Sequence, residues 1–477
     1  MTPFGFTPPN GPDGPDDGSR DGSGDHSGPE DFNEMLRAIQ EQMREQFEKL
    51  GIPLEGLENM DNLQFMSPEN LTAMFSNMPG MPGFGLGPQG ASNDPLPLAT
   101  VRETAKKFVT AHGVAPLSTR DQGVVASAYE IAEIWLNEAT TFPSALSPTH
   151  ASAVNRADWV DLTIAGWHRD IAPLAQGLLE AMTDLLAQAG REQAQDQGEG
   201  EGSQIPLEAI GGLLRTFIGS MVATQLGQSV GSLAATVTGA HDAGLPILDP
   251  ARPVLIPENI AAWAADLEIP QSEVFIYHAL RESAVARLFA YNPWLVSYIQ
   301  STITEYGRGI RIDLDAIQRQ AEEAMNNFDP SQPMNSQINL NVELNNGIFS
   351  PEESPQQKAA LEKLETVLAL IDGWSDDVVT TAAGDRIPNI EQLRETQRRR
   401  RASSTPAQQL FATLLGLEVS PRLTREASAF WKAIREEQSI DKRDGIWAGI
   451  LPTAEDLKNP SVFISSTEIP DDLSGLL

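Results

Sequence analysis

From residue 98 onward apolar side chains recur at intervals of three and four, the spacing of one helical face, and this period predicts helices at about 99–112, 120–140, 155–166 and 170–190. Trp135, Trp159 and Trp167 fall within these segments and are expected to pack between them, making 98–190 a helical subdomain. A Gln-, Gly- and Glu-rich run at 192–202 reads as an exposed loop inside the domain. Past it the pattern gives a small-residue helix over about 210–237, a short extended piece at 253–256 and a helix after Pro257. Further helices are predicted at about 271–291, 294–306, 313–327, 354–383, 389–400, 405–415 and 422–436. Ile338, Leu340, Val342 and Leu344 alternate with polar neighbours and mark one short strand. With so little strand, the expectation is a mainly α protein whose folded domain spans 98–470.

The first 97 residues pattern differently. Residues 1–29 are rich in Gly, Pro and Asp, too poor in apolar surface to offset chain entropy, and are expected to be disordered. An amphipathic helix follows at about 29–50, with Phe32, Leu36, Ile39, Met43, Phe47 and Leu50 on one stripe and Gly51 as its stop. That stripe either docks on the chain's own domain or serves as a partner-binding or self-associating helix on a tether. Residues 52–97 read as a Met-, Pro- and Gly-rich linker containing Met60, Met66, Met74, Met78 and Met81, with one short helix starting after Ser67 at Pro68.

Charge and composition narrow the function. A formal net charge of −33 would repel a phosphate backbone, so nucleic-acid binding is not expected. There is no cysteine, which removes disulfides, thiolate metal sites and a cysteine nucleophile, and suits a reducing cytoplasm. The first thirty residues hold no apolar core for a signal peptide, and a cytoplasmic location is expected. The least polar stretch, 210–237, carries Arg215, Gln225 and Gln228. Its Gly227-x-x-x-Gly231 spacing suits close helix packing, and the stretch is expected as a buried helix and not a membrane span.

Candidate chemistry concentrates in one helix. No Gly-x-Ser-x-Gly elbow, phosphate-binding loop or dinucleotide fingerprint in the right setting occurs, and the six histidines contain no pair at metal-ligand spacing. On the helix of 277–289, however, Arg281-Glu282-x-x-Val285 sits where a His-Glu-x-x-His box would sit. In such a box two histidines four apart bind zinc from one helical face, and the glutamate is general base to a zinc-bound water. Around it stand Pro253-Val254-Leu255-Ile256-Pro257-Glu258-Asn259-Ile260, Asn292-Pro293-Trp294-Leu295, Leu370-Ile371-Asp372-Gly373-Trp374, the run Arg398 to Arg401, and Leu451-Pro452-Thr453-Ala454-Glu455-Asp456-Leu457. In their order and spacing these stretches, from about residue 226 onward, resemble an actinobacterial zincin-like family of hydrolases or zinc-dependent metalloproteases.

The resemblance implies a zincin-like helical fold, a hydrolase ancestry and zinc as the family's metal. It sets Arg281 at the first histidine position, Glu282 at the glutamate and Val285 at the second histidine. It also sets Asp372 at the third ligand, a glutamate in the family. A guanidinium stays protonated and repels a cation, and valine has no lone pair. The box is therefore expected to be degenerate, with no metal bound, and the chain to be a noncatalytic binder of peptide or protein. The opposing expectation is a hydrolase that still uses Glu282 with an unconventional metal site. Two arrangements of the charged residues stay open: the Arg281 guanidinium could stand where the zinc stood and compensate Asp372 or Glu282, or His278, Glu282 and Asp372 could form a shifted metal site. Asp376 and Asp377 read either as an acidic pair with Glu282 or as a polar helix face. The run Arg398 to Arg401, preceded by Arg394, reads either as a helix face paired with acidic neighbours or as a site for an anionic partner.

Overall fold

The computed structural model describes residues 94, 96–145, 152–196, 207–310, 354–403, 410, 422–449 and 451–467. The tail, amphipathic helix and linker expected over 1–97 fall almost wholly outside the described residues, as do the helix expected at 313–327, the strand at 338–344 and most of the helix at 405–415. What is described is mostly helical with almost no strand, as the pattern predicts.

Helix α1 (Leu98–Ala111) is followed by α2 (Thr119–Ala139), whose start is fixed by a capping box between Ser118 and Asp121. Helix α3 (Arg156–Asp196) corrects two expectations. It runs unbroken through the gap predicted near 167–169 and continues to residue 196, into the run expected to be loop. It does so with Pro173 inside it, a residue that removes a helix bond at a cost of about 3 kcal/mol. Packing offsets this. Trp159, Trp167, Ile171 and Leu174 are buried, and Gly166 lies so close to the Ile247 backbone that a Cβ would stand 1.9 Å from its carbonyl oxygen.

Helix α4 (Leu207–Ala234) is the predicted small-residue helix, and it lies along α1. A Cβ on Gly227 would come within 2.7 Å of the Val101 carbonyl oxygen, and one on Gly231 within 2.7 Å of Phe108 Cβ, so both glycines permit the close approach. Among the described residues no helix is long and apolar enough to cross a membrane. The only sheet among them is a parallel pair of two-residue strands, β1 (Ser152–Ala153) and β2 (Val254–Leu255), in register Ser152 to Val254 and Ala153 to Leu255.

After the short α5 (Pro257–Trp263) comes α6 (Gln271–Tyr291), at the limits the periodicity predicts. Nearly every residue of α6 from Val274 to Phe289 is buried, so it is the central helix, packed against α2, β2, α5, α7 (Pro293–Arg308), α8 (Pro355–Ala383) and α9 (Ile390–Ser403). Such a helix must satisfy each polar side chain internally. Arg287 does so in part, where its guanidinium donates to the Glu133 carboxylate on α2 and to the Phe142 carbonyl just beyond it.

Helix α10 (Arg422–Glu437) packs on α8 where Gly373 leaves no room for a side chain. The pattern gave no sign of α11 (Ile440–Gly445), of the 3-10 turns Ile446–Ala448 and Asp456–Lys458, or of α12 (Pro460–Thr467). These short pieces are held by tertiary contacts: Trp431 and Trp447 stack at 5.3 Å, and Trp374 meets Trp447 edge-on at 6.3 Å.

Candidate functional site

One residue step along a helix turns a side chain by about 100°, so Arg281 and Glu282 leave α6 in different directions. Arg281 points toward α8 and α9. Its Nη2 donates to Asp372 Oδ1 at 2.6 Å, and Arg401 Nη1 reaches the same oxygen at 2.7 Å. The residues that the resemblance pairs across 91 positions of sequence are thus brought together, with both side chains largely buried. Val285 lies one turn beyond Arg281 in the apolar core.

Glu282 faces the other way, into the loop before β2. Its Oε1 accepts from the Ala240 N–H at 2.9 Å, the Val254 N–H at 3.1 Å and His241 Nδ1 at 2.8 Å, and its Oε2 accepts from the His241 N–H at 3.0 Å. Gly239 makes room for it, since a Cβ there would stand 2.3 Å from Oε2. All of this is buried, so the carboxylate works as an anchor that ties α6 to the 239–254 segment.

The remaining candidates are placed as clearly. His278 is buried, with its ring edge-on to Trp263 at 4.7 Å and its Nε2 without a hydrogen-bond partner. It does not converge with Glu282 and Asp372, and among the described residues no group of three or more His, Asp or Glu side chains could hold a metal ion. Asp376 and Asp377 form no acidic pair with Glu282. Arg394 grips Asp376 with two nitrogens, at 2.8 and 3.1 Å, and Arg398 adds a third contact at 3.0 Å. Asp377 turns to Arg435 and Arg443 on the far side of α8.

The arginine run on α9 therefore does pair with acidic neighbours. Arg401 bridges Asp372 and Asp242, Arg399 pairs with Glu395 along the helix, and Arg400 lies over the Trp263 ring while donating to its backbone carbonyl. Asp242 was not foreseen from sequence. The signal that could have found it is the glycine-punctuated segment Gly239 to Gly244, which marks a backbone drawn close to something else.

The charges tune one another. Burial alone would raise the Asp242 carboxyl, but Arg401, the Thr238 N–H and Arg281 outweigh it and hold it below its usual range. Asp376 is likewise held low against burial by Arg394 and Arg398. Burial opposes the charge on Arg281, yet Tyr277, Asp372, Asp376 and Asp242 raise its pKa further. The Tyr277 phenol is pushed up to about 12, chiefly by burial. Burial pushes the His278 imidazole down to about 3, and the guanidiniums of Arg281, Arg400 and Arg401 act the same way, opposed only by Asp242.

A prediction follows from His278. Held neutral in the fold, it regains its ordinary value of 6.5 on unfolding, so the unfolded chain takes up the extra proton and stability is lost as pH falls through 6.5 toward 3. At pH 5 this group should cost about 2 kcal/mol relative to pH 7. His278→Gln should flatten that limb in urea midpoints measured at both pH values. Equal pH sensitivity in the variant and the parent chain would refute this account.

The class these features define is a helical zincin-like domain, built around a buried central helix whose Arg281 meets a carboxylate on a later helix. The profile of the zincin-like metallopeptidase family matches residues 98–464, and the chain belongs to that family. Proteins of this class usually bind zinc. No curated protein matches the chain. Among solved structures, a "putative hydrolase with a novel fold" from Chloroflexus aurantiacus is similar, with a TM-score of 0.51 and 16% identity over 78% of this chain and 100% of that one. At that identity the likeness concerns the fold alone.

Proposed function

We propose that this chain is a noncatalytic member of the zincin-like family, whose metal place is filled by an arginine and which acts by binding a peptide or protein. The observation that carries the reading is the Arg281–Asp372 pair at 2.6 Å. A guanidinium that neutralises the carboxylate at the third ligand position does, with Arg401, the electrostatic work of a cation there, and a largely buried Asp372 with neither arginine would be several kcal/mol worse off. Zinc does not fit these residues. Val285 offers no donor atom, Arg281 repels a cation, and Asp372 Oδ1 is taken by two guanidiniums. Glu282, at the general-base position, has its oxygens committed to buried donors of the 239–254 segment.

Elemental analysis tests this on the native chain and on Arg281→His/Val285→His. The expected result is no zinc in the native chain and about one zinc per chain in the double variant, because the substitution restores two histidines on the face that meets Asp372. Zinc in the native chain, or hydrolysis of a peptide that stops when zinc is chelated, would overturn the reading. It would instead favour an active hydrolase with an unconventional site around His278, Glu282 and Asp372.

A further inference from the structure

Arginines outnumber carboxylates in the lining of one cleft beside α9. Arg281, Arg394, Arg398, Arg401 and Arg425 line one small cleft between α6, α8, α9 and α10, together with only two acidic residues, Asp372 and Asp376. Even with Asp242 counted behind Arg401 and the exposed Glu391 beside Arg394, cations are in excess here, in a chain whose net charge is −33. Arginines gathered against that background need a reason beyond the two aspartates.

Several donors in the cleft have no partner among the described residues. Arg398 gives one nitrogen to Asp376, Arg281 gives one to Asp372, and the buried Nε of Arg401 has no partner. Arg425, exposed at the mouth, makes no ion pair or hydrogen bond among the described residues. Gln397 lines the same cleft with 7% exposure, and its amide has no hydrogen-bond partner among the described residues. Forked guanidinium donors, one of them with a buried Nε that has no partner, beside an amide are a feature that a bound group with several acceptor oxygens would complete.

We infer that this cleft binds a phosphate group, free or carried on a peptide partner, through Arg281, Arg398, Arg401, Arg425 and Gln397. The inference rests on the proposed function, since a metal at Asp372 would displace Arg281. Size and charge favour phosphate. A cavity volume of about 40 Å³ has room for roughly three water-sized groups, about one oxyanion head and not a peptide backbone. A doubly charged anion also suits a lining of five guanidiniums and two carboxylates better than one carboxylate does.

The test is calorimetric titration of the full chain with inorganic phosphate at low ionic strength, with zinc content measured on the same sample. One phosphate should bind per chain, and Arg398→Gln/Arg425→Gln should weaken it by about tenfold or more. Arg394 still holds Asp376 in that variant, so circular dichroism and the melting temperature should be close to those of the parent. Arg399→Gln, which alters a residue paired to Glu395 outside the cleft, should bind as the parent does. A phosphoserine peptide that binds more tightly than inorganic phosphate, while its serine counterpart does not bind, would identify a carried phosphate; equal affinity of the two phosphates would identify a free one. No phosphate binding in a zinc-free chain, binding indifferent to the double variant, or tighter binding of citrate than of phosphate would overturn the inference. Zinc in the sample would instead strike at the proposed function beneath it.

Discussion

Replacing Glu282 with alanine should unfold this protein before it silences any reaction. The substitution strips the acceptor from three buried backbone N–H groups, those of Ala240, His241 and Val254, and from His241 Nδ1. The Ala240 N–H keeps the Val254 carbonyl at 3.2 Å, but the other three donors are left without a partner at about 1–3 kcal/mol each, so the loss should reach at least about 3 kcal/mol. Glu282→Gln, which keeps one acceptor oxygen but turns an NH2 toward donors, should fall between the two. Urea unfolding of the three proteins reads this directly. A Glu282→Ala chain with the parent's unfolding midpoint would return Glu282 to the list of free, reactive carboxylates and weaken the noncatalytic reading.

The second large effect is expected at Arg443, which is fully buried. Its guanidinium donates to Asp377 Oδ2 at 2.8 Å, to Asp444 Oδ1 at 2.9 Å and to the Ala139 carbonyl at 2.7 Å, joining α11 to α8 and to the end of α2. Asp444 in turn accepts from Trp374 Nε1, the Thr140 hydroxyl and the Thr141 N–H. Arg443→Met fills similar volume but leaves the Asp444 carboxylate buried with no cation, at a cost of about 3–5 kcal/mol. Adding Asp444→Asn removes the stranded charge while keeping an acceptor, so the double variant should recover part of the loss. If the double variant is as unstable as the sum of the two single changes, the two residues are not coupled and the network does not act as a unit.

How much of this was legible beforehand depends on where each restraint lies. The limits of α6, α8 and α10 follow the 3.6-residue period closely, because in these segments apolar burial and helix geometry agree. The Gly227 and Gly231 spacing likewise announced a close helix contact, and α1 supplies it. Helix α3 was misread, since Pro173 is a local breaker and only its packing against the 245–248 segment and α7 makes the unbroken form the better one.

The site divides in the same way. Sequence by itself determined which side chains are present: a glutamate between an arginine and a valine on a helix, an aspartate ninety residues later, a run of arginines, and no cysteine. Those identities already decide that Arg281 and Val285 cannot ligate a metal, because ligation is a property of the atoms. Tertiary structure alone decided what each charge faces. Glu282 meets backbone N–H groups, which no residue type encodes, and Asp242 enters the cluster through a loop with no periodicity of its own. The physical reason is that a buried charge is defined by the partners that replace its water, and those partners come from elements far apart in the chain.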